Sequence, residues 1–182
     1  MATTKKTKAK SAEARKSNPK TSKPRSSVMG AAPDAIDLLT ADHEEVTAWF
    51  EEYEDATRDS VKADLARKIC LALTVHAQIE EELFYPASRK ATKDEDLLDE
   101  AEVEHAGAKH LIAQIESMKV GDDLYDAKIK VLSEYIKHHV KEEQNELFPE
   151  VKAAKLDLAE LGAKLAARKE QLMSELSRKA AE

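Results

Sequence analysis

The sequence predicts an all-α fold: an up-down-up-down four-helix bundle with an additional C-terminal helix and a disordered basic N-terminal tail. Three observations carry this. Of 182 residues, 42% are hydrophobic and 36% charged, with only 4 Gly and 5 Pro, a composition rich in helix formers and poor in the turn residues of an all-β fold. Apolar residues recur at spacings of three and four from Ala35 onward, the period of one helix face. The connections between the first four periodic stretches are short, which makes successive helices antiparallel neighbours.

Residues 1–32 carry nine Lys or Arg against one acid, Glu13, a net +8; the rest of the chain holds 20 basic and 35 acidic side chains, a net -15. The first part has almost no large apolar residue to offset its ordering entropy and is expected to be disordered. Its charge could meet nucleic-acid phosphates, although no aromatic residue is interleaved to stack on bases. Residues 1–33 are therefore assigned to the tail, 34–152 to the bundle and 153–182 to an accessory C-terminal helix.

The first helix starts after Pro33 with Asp34 as its cap region and carries Ile36, Leu39, His43, Val46, Phe50 and Tyr53 on one stripe. The second, about 60–85, carries Leu65, Ile69, Leu73, His76, Glu80 and Leu83, with Pro86 ending or kinking it. The third, about 94–118, carries Leu98, Ala101, His105, Ala108, Ile112 and Ile115, before a turn and cap at Gly121, Asp122 and Asp123. The fourth, about 122–148, carries Leu124, Leu132, Tyr135, Ile136, His139, Glu143 and Leu147 up to Pro149. The fifth, about 157–178, carries Leu158, Leu161, Leu165, Leu172 and Leu176, and either docks outside the bundle or mediates pairing. One Cys excludes a disulfide framework. No apolar run reaches membrane-span length, and the Lys-rich start lacks a leader's apolar segment. A cytoplasmic protein with no membrane association is expected.

Four histidines, His43, His76, His105 and His139, fall on four apolar stripes near mid-helix. One such His is usually a core side chain with a local partner. Four are harder to satisfy separately, because each buried imidazole needs its own hydrogen bonds. His76 precedes Glu80 and His139 precedes Glu143 by four residues, one turn apart on one face. The run HAQIEEELFYP from His76 is echoed by HVKEEQNELFP from His139, 63 residues on, each His ten residues before a proline. That phasing favours His139 over His138, which with Glu142 forms the same spacing and is expected to be exposed. Four imidazoles and two carboxylates make a nitrogen and oxygen set without thiolate, better suited to iron or manganese than to closed four-ligand zinc. Two carboxylates from opposite helices can bridge two ions.

His43, the two HxxxE runs and His105 within EVEHAGAKH resemble the hemerythrin-like HHE cation-binding family over about residues 36–150. The resemblance implies a non-haem di-iron centre, two Fe ions oxo- or hydroxo-bridged, with manganese ranked lower. It makes His43, His76, His105 and His139 terminal metal ligands and Glu80 and Glu143 bridges. It also implies dioxygen, peroxide or nitric oxide as the small ligand, and oxidative stress as the setting. Oxygen-carrying members place a second His four residues after the first on the third helix; here that residue is Lys109, and His110 lies about 140° from His105. This departure favours redox reactivity over reversible oxygen carriage. Glu102, three residues before His105, is a candidate substitute ligand, and Tyr135 is expected to face the interior. Competing readings are an iron store or ferroxidase, ranked low because Glu-x-x-His occurs once, at Glu102–His105, and a metal-gated sensor whose basic tail binds nucleic acid. Catalytic residues and oligomeric state stay open at this level.

Overall fold

The computed structural model describes Met1, residues 32–92 and residues 95–179. The basic stretch expected to be disordered lies, apart from its two ends, outside the described residues. Helices α1 (Ala35–Asp55), α2 (Asp59–Ile79), α3 (Tyr85–Ala91), α4 (Asp96–Glu116), α5 (Tyr125–Glu142), α6 (Phe148–Ala153) and α7 (Leu158–Lys179) follow in order. A π-helical turn, Glu80–Phe84, joins α2 to α3, and a second, Glu143–Leu147, joins α5 to α6. The bundle comprises α1, α2 with α3, α4, and α5 with α6. Helix α7 lies outside it against α1 and α2.

Helix α1 begins with a capping box. The Asp34 carboxylate accepts from the Ile36 and Asp37 amides at 2.9 and 3.0 Å, and Asp37 accepts from the Asp34 amide at 3.2 Å. The turn expected at Gly121 is present, with Gly121 at φ 92. The cap is not. Asp122 instead accepts from the Lys119 amide at 2.8 Å, closing the turn on itself. Helix α5 starts at Tyr125, behind a left-handed Leu124 without a side-chain cap.

Neither proline ends its helix. Pro86 and Pro149 occupy the first turns of α3 and α6, each directly after a π-helical turn. Upstream, the ladder widens into an i→i+5 turn: the Tyr85 amide donates to the Glu80 carbonyl, and Phe148 to Glu143. A proline ring crowds the carbonyl four residues back, and the wider turn relieves that crowding without breaking the rod.

The core is divided by a polar layer. One apolar cluster contains Ile36, Leu39, Val75, Ile79, Phe84, Leu98 and Phe148, and is completed by Leu161, Leu165 and Leu172 of α7. The other contains Val46, Phe50, Leu73, Ala108, Ile112, Leu132 and Ile136. On each bundle helix the stripe passes from one cluster to the other through a histidine.

Candidate metal centre

The four stripe histidines and both HxxxE glutamates are buried and fall into two overlapping clusters, His43, His76, Glu80 and Glu143 in one and Glu80, His105 and His139 in the other. The imidazole Nε2 atoms pair at 2.9 Å (His43 with His76) and 3.1 Å (His105 with His139). Glu80 Oε2 lies 3.1 Å from His76 Nε2 and 3.4 Å from His105 Nε2. Glu143 Oε2 lies 3.3 Å from His43 Nε2 and 3.5 Å from His139 Nε2. Each carboxylate thus spans both imidazole pairs. Both oxygens of Glu80 and Oε2 of Glu143 are buried without a hydrogen-bond partner of good geometry. Such oxygens are costly unless a cation sits among them.

The outward Nδ1 atoms form a ring of second contacts. Asp42 of α1 takes His76 Nδ1 at 3.3 Å, and Glu81 takes His105 Nδ1 at 3.1 Å. Glu104 of α4 takes His139 Nδ1 at 2.8 Å. The Gln144 side-chain amide lies 3.4 Å from His43 Nδ1 and closes the circle. Each of these four residues is the sequence neighbour of a site residue on its own helix (His43, Glu80, His105 and Glu143), yet each serves the histidine of another helix. At the three carboxylate contacts, an Nδ1–H of His76, His105 or His139 donated outward leaves the Nε2 lone pair facing inward, the tautomer a metal-binding imidazole uses; the Gln144 NH2 is a donor toward His43 Nδ1. Two of the outer carboxylates are closed by lysines: Lys109 Nζ sits 2.5 and 2.6 Å from the Glu81 oxygens, and Lys169 of α7 bonds Asp42.

Charge follows geometry. Burial alone would push the His76 imidazole down, but Glu80, with Asp42 and Glu143, lifts it to about 10. Burial opposes ionisation of Glu80 too, yet His76 and then His105 hold it well below the usual carboxylate range. His139 is raised against its burial by Glu143 and Glu104. Asp42 is lowered against its burial by His76 and Lys169. Glu104 is lowered first by the hydrogen bond from His139.

Tyr85 was not expected here. Its hydroxyl donates to Glu143 Oε1 at 3.0 Å and lies 3.2 Å from His105 Nε2. Burial first, and then Glu80 and Glu143, raises its pKa well above the usual phenol value. The residue 63 positions on is Phe148, which stacks on His43 with ring centroids 5.9 Å apart. The two halves of the site therefore differ, one carrying a hydroxyl and the other an apolar ring.

Three expectations are corrected. Tyr135 is 46% exposed; Leu132, Ile136 and His139 take the inward stripe, while the Tyr135 ring lies on the surface over Gly107. Glu102 is exposed and paired with Arg89 at 3.0 Å, so it is not a substitute ligand. His110 is exposed. His138 is exposed as expected, beside Glu142 at 3.2 Å. Cys70 is buried, and Trp49 packs half-buried against the second apolar cluster.

A narrow recess adjoins the four histidines, walled by Val46, Leu73, Ala77, Ala108, Ile112 and Ile136, with Lys109 also lining it. Among the described residues no helix is long and apolar enough to cross a membrane.

An all-α bundle with imidazoles and carboxylates converging at its middle defines a cation-binding helical protein. Residues 34–151 match the hemerythrin HHE cation-binding domain, and the chain belongs to that family. Its fold is similar to the crystal structure of a hemerythrin HHE cation-binding domain-containing protein from Mycobacterium kansasii. The TM-score is 0.70 at 25% identity, covering 81% of this chain and 92% of that one. A DNA nickase of Nostoc sp. (strain PCC 7120 / SAG 25.82 / UTEX 2576) is 26% identical over 116 residues, or 64% of this chain; the match spans only 33% of that protein.

Proposed function

We propose that the chain holds two iron ions, with His43 and His76 as terminal ligands of one, His105 and His139 of the other, and Glu80 and Glu143 bridging, and that it reacts with a small oxidant such as dioxygen, peroxide or nitric oxide. The observation that carries this is directional. Four imidazoles turn Nε2 to one point while their Nδ1 atoms are engaged from outside. Bound there, a pair of irons supplies one-electron chemistry toward small oxidants. The chain's residues do the rest. Asp42, Glu81 and Glu104 fix tautomer and ring orientation. The apolar recess suits a small uncharged ligand, and Tyr85 presents a hydroxyl to one half of the site. Lys109 stands where an oxygen carrier would have a further histidine and is spent on Glu81, which supports turnover over reversible carriage. Manganese fits the same donors less well than iron because imidazole nitrogens predominate. Chain loaded anaerobically with Fe²⁺ and then oxidised should contain about two irons and show near-ultraviolet charge-transfer bands, as expected for an oxo-bridged ferric pair. Stoichiometric iron without those bands would reject the bridged pair, and absence of bound iron would reject the whole reading.

A second reading is that the basic segment engages nucleic acid and the metal state gates it. Two observations favour it: the +8 charge of residues 1–32 and the likeness to a protein named as a DNA nickase. A chain beginning at Ala32 should lose plasmid binding whose affinity falls steeply with salt, while iron content is unchanged. Equal, salt-insensitive binding by both chains would sink this reading.

A further inference from the structure

The ring of outer carboxylates contains one exception. Asp42 is closed by Lys169 and Glu81 by Lys109, but Glu104 meets a different group. Its Oε1 lies 3.5 Å from Nε2 of the exposed His138, which also lies 3.2 Å from Glu142 Oε1. Among the described residues, neither Glu104 nor Glu142 is in an ion pair with Lys or Arg. A lysine's place is here taken by one imidazole and a second carboxylate, a group with net negative charge whose donor atoms lie within 4.8 Å of one another.

Beneath it lies a narrow crevice lined by Glu104 and Glu142 together with His139 and Glu143 of the buried site. Glu143 is 2% exposed, and its Oε2, 3.3 Å from His43 Nε2 and 3.5 Å from His139 Nε2, has no hydrogen-bond partner of good geometry. Glu104 faces both ways, Oε1 toward His138 and Oε2 to His139 Nδ1 at 2.8 Å. One imidazole nitrogen and two carboxylate oxygens suit a divalent transition cation better than the all-oxygen preference of Ca²⁺ or Mg²⁺.

We infer that Glu104, His138 and Glu142 form an exterior site for a divalent transition cation, at the mouth of a crevice through which the buried histidine–glutamate cluster is loaded. The loading role rests on the reading of that cluster as a metal centre; cation binding outside does not. The geometry places the exterior donors on α4 and α5, where a hydrated ion can exchange water for carboxylate oxygens one at a time before it reaches Glu143.

Co²⁺ titrated anaerobically into the metal-free full chain tests both parts, with equilibrium dialysis for stoichiometry and visible absorption for the filling rate. Wild type should bind one weaker equivalent beyond those held tightly. His138→Ala and Glu142→Gln should each remove that equivalent and slow filling of the tight sites about tenfold or more, the scale on which metal sites respond to loss of a supporting group. The tight stoichiometry should not change. Retention of the weaker equivalent and of the filling rate in both variants would reduce the cluster to an ion pair and overturn the proposal. A wild type with no tight Co²⁺ would sink the buried centre and the loading role with it, while the exterior site would still be judged by the weaker equivalent.

Discussion

Glu80→Gln should leave the chain folded but unable to hold two ions. Glu80 is fully buried, both of its oxygens lack a hydrogen-bond partner, and one of them approaches a histidine of each imidazole pair. Glutamine keeps the shape but removes the charge and turns one oxygen into an N–H donor, which cannot bind a cation. Metal content should fall from about two ions per chain to about one or fewer, since a shared anion serves both ions of a carboxylate-bridged pair. The same variant should cost the metal-free chain little stability. Without Glu80 opposite it, His76 loses the main attraction that lifts its pKa, so the imidazole can shed its proton and leave no unpaired buried charge. Metal analysis beside thermal unfolding of the stripped protein separates the two effects. Full metal content in Glu80→Gln would remove Glu80 from its bridging role, whereas a collapse of the stripped protein would make its role structural.

How much of this was legible in the sequence depends on which helix geometry a residue obeys. The stripes on α1, α2, α4 and α5 follow ordinary α-helical spacing, so His43, His76, His105, His139 and the two glutamates could be placed from the 3.6-residue period alone. Tyr85 could not. Five residues after Glu80 on an α-helix it would sit about 140° away; the π turn instead brings residues i and i+5 into register and swings Tyr85 inward. A signal for that turn existed in the proline six residues after each glutamate. It reads equally as a helix stop unless the wider turn is considered. Tyr135 failed in the opposite sense. Spacing of four from His139 put it near the stripe, but Leu132, Ile136 and His139 already filled the inward line. The outer ring was open to reading, since Asp42, Glu81, Glu104 and Gln144 each adjoin a site residue. Their partners lie on other helices, and pairing across helices is invisible to periodicity.

Replacing Gly162 or Leu165 on α7 should unsettle the metal site as well as the fold. Leu165 is fully buried within the cluster shared with Ala35, Ile36 and Leu39, and truncating such a leucine costs about 2–5 kcal/mol. Gly162 is held differently. A Cβ there would stand 2.7 Å from the Ala35 nitrogen and the Asp34 carbonyl carbon, and 2.9 Å from the Pro33 oxygen. These are backbone atoms beside the α1 capping box and cannot swing away, so Gly162→Ala should cost about 1–3 kcal/mol by forcing α7 outward. Each kcal/mol should lower Tm by roughly 2–4 °C in a chain of this size. If α7 only covered apolar surface, metal retention below the transition would be unchanged. The contacts argue otherwise. Seven residues past Gly162, Lys169 bonds Asp42, and Asp42 accepts from His76 Nδ1; Arg168 ties the same helix to Glu82 of the π turn that begins at Glu80. Lifting α7 should therefore release the support behind His76 and speed metal loss to a chelator about tenfold, the scale of a lost supporting contact. Lys169→Met should reproduce that faster loss with little change in Tm. Equal loss rates in Lys169→Met and wild type would confine α7 to packing.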